Sequence, residues 1–224
     1  MKRREFTKAT LSSFAAVGTA TLLASNAHGA SAQGQGAKFE EGVDYISLDK
    51  RVPADVGAGK IEVIEFFWYS CPHCNAFEPR FEAWIKSAPK DLVIKRAPVR
   101  FRDDFEAQQR MYYALEALNK VDALHAQVFK AIHVDRLNMT TADNLATWAS
   151  THAIDKAKFL EVFNSFGVAT QAKRATQLQD AFKVQGVPAL GVAGRFYTDG
   201  SLAGSMERAV QVVEYLASEV RKGR

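Results

Sequence analysis

Residues 63–79 read VIEFFWYSCPHCNAFEP, and this stretch holds both cysteines of a 224-residue chain. Only Pro72 and His73 separate Cys71 from Cys74. Such a pair makes a poor staple. A disulfide stabilises by closing a loop in the unfolded chain, worth about 3 kcal/mol for roughly 15 residues, so a two-residue spacer constrains very little. A zinc site is no better supported. It needs four ligands, and neither a second cysteine pair nor a spaced histidine pair is present to complete it. Two neighbouring thiols that neither staple nor hold a metal are suited to being oxidised and reduced in turn.

The flanking sequence places this pair. KIEVIEFFWY (60–69) is apolar, β-branched and aromatic, which predicts a buried strand. In the residues that follow, Phe77, Phe81, Trp84 and Ile85 recur at helical spacing and define one apolar face. Pro72 falls in the first turn of that helix, where its missing N–H is harmless, while Pro79 is expected to kink it. DLVIKRAPVRF (91–101) predicts a second strand, giving a β-α-β unit with a parallel pair.

From Asp103 to about Ala181 the pattern is helical, with Met111, Leu115 and Leu118 and then Val128, Phe129 and Ile132 on apolar faces. Thr140 with Asp143 resembles a capping box, Asp155 is expected to cap a further helix, and Gly167 to end it. VPALGVAGRFYT (187–198) returns to strand, with a tight turn at Ala193-Gly194, and Ser205 is expected to cap a last helix. Phe66, Phe67, Trp68 and Phe77 read as core. His125, His133 and His152 read as surface or helix-packing residues, and RFRDD (100–104) as a junction and helix cap.

At the other end, MKRREFTK carries four basic side chains and one acid, followed by a mildly apolar run and by Ala30-Ser31-Ala32, a small-x-small cleavage pattern. Residues 1–32 therefore read as a signal peptide. The Arg3-Arg4-x-Phe6-x-Lys8 arrangement resembles a twin-arginine signal, and Sec export suits the same features. Cleavage after Ala32 removes four cations against one anion, and the formal charge falls from +4 to +1. That removes any electrostatic argument for nucleic-acid binding. Export implies an oxidising destination in which disulfides persist.

Thiol chemistry runs through the thiolate, whose pKa falls at a helix N-terminus and beside a cation. Cys71 sits at the start of the helix, where the macrodipole favours negative charge, and His73 can donate a hydrogen bond or carry a positive charge beside it. Cys74 lies one turn deeper and reads as the resolving thiol. Stabilising the Cys71 thiolate stabilises the reduced protein and makes its disulfide the stronger oxidant.

Together, VIEFFWYSCPHCNAFEP, the later GVPAL and the helical segment between them resemble the DsbA family of periplasmic thiol:disulfide oxidoreductases, over roughly residues 38–220. The resemblance implies an α/β, thioredoxin-like fold with an inserted helical domain. Residues 33–102 and 182–224 would form the thioredoxin-like part and 103–181 the insertion. It implies that Cys71, Pro72, His73 and Cys74 are the catalytic motif and that Val187-Pro188 is a cis-proline loop holding substrate backbone. Glu65 matches the family's buried acid below the active site, with Arg96 as its basic partner and Lys95 an equal candidate by position, although Glu62 suggests that this strand faces water. No cofactor or metal is implied. The implied partners are unfolded secreted proteins with free cysteines and a DsbB-like, quinone-linked membrane oxidase, and the chain is expected to be a monomer. Two rival readings are an electron-supplied reductase or isomerase, and a chaperone-like binder with an incidental disulfide.

Overall fold

A computed structural model describes residues 39–224. The signal peptide expected over residues 1–32 and the Gly/Gln/Ser-rich run after it lie outside the described residues. A two-residue strand, β1 (Ile46–Ser47), comes first and has no sequence signature. It is followed by β2 (Ile61–Phe67), buried at every position. Burial on both faces explains why β2 reads as continuous apolar sequence rather than as an alternation. Helix α1 (Pro72–Ser87) starts with Pro72 in its first turn and runs on through Pro79. β3 (Leu92–Pro98) then pairs parallel with β2, from Ile61 opposite Leu92 to Phe67 opposite Pro98.

A 3-10 turn (Asp103–Phe105) leads into five helices: α2 (Glu106–Ala117), α3 (Val121–His133), α4 (Ala142–Ser150), α5 (Lys156–Phe163) and α6 (Phe166–Ala181). Three local expectations need correction. Thr141, not Thr140, caps α4 through its contact with the Asn144 N–H, because the Thr140 hydroxyl is taken up by Asn138. Gly167 does not end a helix: α5 stops at Phe163, and Ser165 already caps α6. Asp103 and Asp104 cap nothing and pair instead with Arg100 and Arg102. The Asp155 side chain does cap α5, accepting from the Lys158 N–H at 2.8 Å.

The chain returns to the sheet as the hairpin β4 (Ala189–Val192) and β5 (Phe196–Asp199), then forms α7 (Gly200–Ala203) and α8 (Met206–Arg221), the latter capped by Ser205. The strand order is β1-β5-β4-β2-β3, with β4 antiparallel to β2. Each sheet face has its own core. Ile64 and Phe66 pack with the helical segment, including Met111, Phe129 and Phe182. Ile61 and Val63 pack with Phe77 and Phe81 of α1 and with Val213 and Leu216 of α8.

The hairpin turns through Ala193 and Gly194, both at positive φ. Gly194 also lies against Val52, whose carbonyl a Cβ at this position would overlap. Left-handed backbone and a rigid neighbour both exclude a side chain here. Gly194→Ala is therefore expected to lower stability by at least about 2 kcal/mol, seen in urea as a lower midpoint with an unchanged slope.

Candidate active site

The short link between β2 and α1 carries the thiols. Cys71 is the N-cap residue of α1, in extended conformation, with its N–H donating to the Trp68 carbonyl at 3.0 Å. Pro72 then presets the first helical turn. Cys71 is 7% exposed and Cys74, on the inner face of α1, is 0% exposed. Both are free thiols. Because β4 runs antiparallel to β2, with Ala189 opposite Phe66, the segment just before β4 arrives beside the thiols. The Val187-Pro188 peptide bond there is cis. In the thiol form, Cys71 Sγ donates to the Val187 carbonyl at 3.4 Å.

The two sulfurs have opposite electrostatics. Cys71 is lowered to about 6, first by the Cys74 thiol donating to it and then by the backbone N–H groups of Cys74 and His73 and the charge of His73, against a burial penalty. Burial pushes Cys74 far above the ordinary thiol range, and the neighbouring Cys71 sulfur adds to this. One sulfur is therefore set to be a thiolate near neutral pH and the other to stay protonated.

Below the thiols lies a buried ionic cluster. Glu65 is 1% exposed and sits opposite Arg96 in the β2–β3 register. Arg96 Nε donates to Glu65 Oε2 at 2.9 Å, and its NH2 group reaches Glu78 at 3.2 Å and Glu82 at 2.6 Å. Burial outweighs Arg96 at Glu65 and raises that carboxyl to about 8. Glu78 is also buried, but the neighbouring His125, and then Arg96, more than offset the penalty and hold it below the ordinary carboxylate range. Burial lowers the His125 imidazole, against the pull of Glu78.

Lys95, the alternative partner for Glu65, points to the other face of the sheet and bonds Glu62 at 2.8 Å. Glu62 is 4% exposed and does not face water, because Lys95 and the Asp55 N–H cover it. Phe66, Phe67 and Phe77 are core residues. Trp68 is only partly buried and stacks on Phe105 at 3.8 Å. His125 is buried between helices, His133 bonds the Tyr69 carbonyl, and His152 stacks on Trp148.

Glu78, Glu82 and Tyr69 belong to this site without having been singled out in the sequence. A signal for the two carboxylates was available: Cys74, Glu78 and Glu82 follow at i, i+4 and i+8, on one face of α1. Tyr69 had none, since its partners lie on α3.

The site matches known proteins along with the fold. Residues 62–211 match the family model described as DSBA-like thioredoxin domain. The chain is 42% identical over 204 residues to thiol:disulfide interchange protein DsbA of Bordetella parapertussis, covering 91% of this chain and 94% of the relative. It is 41% identical to the Bordetella pertussis DsbA over 99% of this chain and 100% of that one. The crystal structure of Pseudomonas aeruginosa DsbA superposes with a TM-score of 0.78 at 34% identity, over 83% of this chain and 96% of that chain. Two thiols of opposite character at a helix start, carried on this fold and this sequence, place the chain in the DsbA family of thioredoxin-fold thiol:disulfide oxidoreductases.

Proposed function

We propose that the protein donates its Cys71–Cys74 disulfide to newly exported proteins in the periplasm and is reoxidised by a DsbB-like, quinone-linked membrane partner. The observation that carries this reading is the contrast between the two thiols, with Cys71 lowered to about 6 and Cys74 raised. A substrate thiolate attacks Cys71 Sγ, the Cys71–Cys74 bond breaks, and Cys74 leaves and takes up a proton. Glu65, raised to about 8, holds a proton near neutral pH that serves this step. A second substrate thiolate attacks the substrate sulfur of the mixed disulfide, and Cys71 departs as a thiolate. The substrate has lost two electrons and the protein has gained them. The Val187-Pro188 loop, half-buried at Val187 beside Cys71, is assigned to holding substrate backbone. His73 and Pro72 hold Cys71 in its thiolate geometry, and the protein acts as a monomer.

Magnitudes favour donation over attack. Against an ordinary thiol of pKa about 8.5, a thiol lowered to about 6 is about thirtyfold richer in thiolate at pH 7. Its intrinsic nucleophilicity falls roughly tenfold by the Brønsted relation, so most of the gain is lost when Cys71 attacks. No such cancellation applies when Cys71 leaves, because a lower pKa only speeds departure. Release of Cys71 from a mixed disulfide is the step that completes substrate oxidation.

The test is the redox equilibrium of residues 33–224 with glutathione, read by intrinsic fluorescence, alongside titration of the Cys71 thiolate. A thiolate midpoint near 6 and a potential well above the roughly −270 mV of thioredoxin are expected. A potential at or below thioredoxin's would overturn the oxidase reading in favour of a reductase.

A further inference from the structure

The link that carries Cys71 is gripped from the helical segment. Tyr69, two residues before Cys71, is buried, and its ring packs on Phe129 of α3 at 5.0 Å between centroids. Its hydroxyl lies 2.8 Å from His125 Nδ1, and its backbone carbonyl accepts from His133 Nε2 at 2.8 Å. His125, Phe129 and His133 follow at i, i+4 and i+8, so one ridge of α3 meets both ends of one tyrosine. Helix α2 holds the next residue: Gln108 accepts from the Ser70 N–H at 3.1 Å and donates to its hydroxyl at 2.6 Å.

The second nitrogen of His125 fixes the ring's orientation. His125 is 3% exposed, and its Nε2 is buried without a hydrogen-bond partner, 3.4 Å from Glu78 Oε2. With the Tyr69 O–H donating to Nδ1, the imidazole proton lies on Nε2 and faces that carboxylate. Other titratable groups around the ring are Tyr112 of α2 and, behind Glu78, Arg96 of β3 and Glu82 of α1. His125 thus ties three elements together: the link through Tyr69, α3 itself, and α1 one turn below Cys74.

We propose that His125 and His133 are positioning residues for the redox pair: by holding Tyr69 at both ends they fix the Cys71 sulfur against the start of α1. The Cys71 thiolate is held by donors of fixed direction, the N–H groups of His73 and Cys74 and the Cys74 thiol. Hydrogen bonds of this kind weaken steeply with misalignment. Loosening the link lets the sulfur drift from its donors, which raises its pKa, destabilises the reduced form and weakens the oxidant. This inference rests on the redox reading given above. It adds that the helical segment tunes the thiols without touching them.

The test uses Tyr69→Phe, His133→Ala, His125→Phe and His125→Gln, each measured for the Cys71 thiolate midpoint and the glutathione equilibrium, with circular dichroism and thermal unfolding as fold controls. Loss of one buried hydrogen bond corresponds to roughly three- to tenfold. Tyr69→Phe, His133→Ala and His125→Phe are each expected to shift the equilibrium by that factor toward the oxidised protein and to raise the thiolate midpoint. His125→Gln keeps a donor and an acceptor and is expected to stay within about twofold of the parent. Folded variants that all match the parent within twofold would overturn the proposal. If His125→Phe does not fold, Tyr69→Phe and His133→Ala decide the matter, since one removes a single oxygen and the other a half-buried ring. A parent protein that does not exchange with glutathione overturns the redox reading itself, a result distinct from variants that match an active parent.

Discussion

Arg96→Met is expected to lower stability by about 3–5 kcal/mol at pH 8, the range for a buried ion pair that loses one partner. Among the described residues, Arg96 is the only guanidinium serving Glu65, Glu78 and Glu82, and the first two of these carboxylates are buried. Methionine fills similar volume but leaves both buried carboxyls without a cation, so the loss is electrostatic rather than a cavity. The pH dependence follows from the sign of the shift. Glu65 is already raised in the folded protein, to about 8. A carboxyl with a raised folded pKa keeps a proton that the unfolded chain releases, so stability falls as pH rises from about 4.5 through that pKa. Removing Arg96 raises Glu65 further and lifts Glu78 from its lowered value. The deficit in urea unfolding should therefore be smaller at pH 5 than at pH 8. Adding Glu65→Leu should recover part of it, and an equal deficit at both pH values would point to packing instead.

Cys71→Ser is expected to reduce disulfide transfer to background, while Cys74→Ser traps the reaction halfway. Without Cys71 the inner thiol is left, and Cys74 is 0% exposed with a pKa far above the ordinary range, so it neither meets substrate nor ionises. Without Cys74, Cys71 still forms mixed disulfides but has no neighbour to resolve them. Its adduct with glutathione or a substrate peptide should then accumulate one-to-one, visible by mass spectrometry and on a non-reducing gel. Cys74 donates a hydrogen bond to the Cys71 sulfur, so Cys74→Ala, which unlike serine leaves no donor there, should also raise the Cys71 midpoint from about 6 toward the ordinary thiol range. A Cys71→Ser protein that kept full activity toward unfolded proteins would instead indicate a binder with an incidental disulfide.

The β-α-β unit and the thiol pair were legible because their signals are local. A buried strand, a proline at a helix start and a two-residue spacer all lie within one stretch of sequence. The choice between Arg96 and Lys95 was not legible, because it depends on register. In the parallel pairing Arg96 falls opposite Glu65 and Lys95 opposite Ile64, which sends the two cations to opposite sheet faces. Nothing in either strand alone reveals that offset. Glu62 misled for a related reason, since its cover comes from Lys95 of the next strand and from the Asp55 segment. The start of α4 was displaced by one residue, from Thr140 to Thr141, because hydroxyls compete locally for donors and acceptors, and the helix end expected at Gly167 falls inside α6, which Ser165 caps. Tyr69, His125 and His133 form one contact only after α3 has folded back over the link, 56 and 64 residues from Tyr69.

The antiparallel pairing of β4 with β2 has a further consequence for the order of assembly. The Val187 carbonyl and the Cys71 sulfur meet across 116 residues of chain, and contacts of such long separation form late. A chain still lacking its final hairpin leaves one side of β2 unpaired, an apolar edge of the kind that invites aggregation. Its two cysteines at that stage lack the opposing carbonyl and the cover of the hairpin, and stand open to other disulfides. Until its own last strands are in place, a newly made copy is chemically a client of the finished ones.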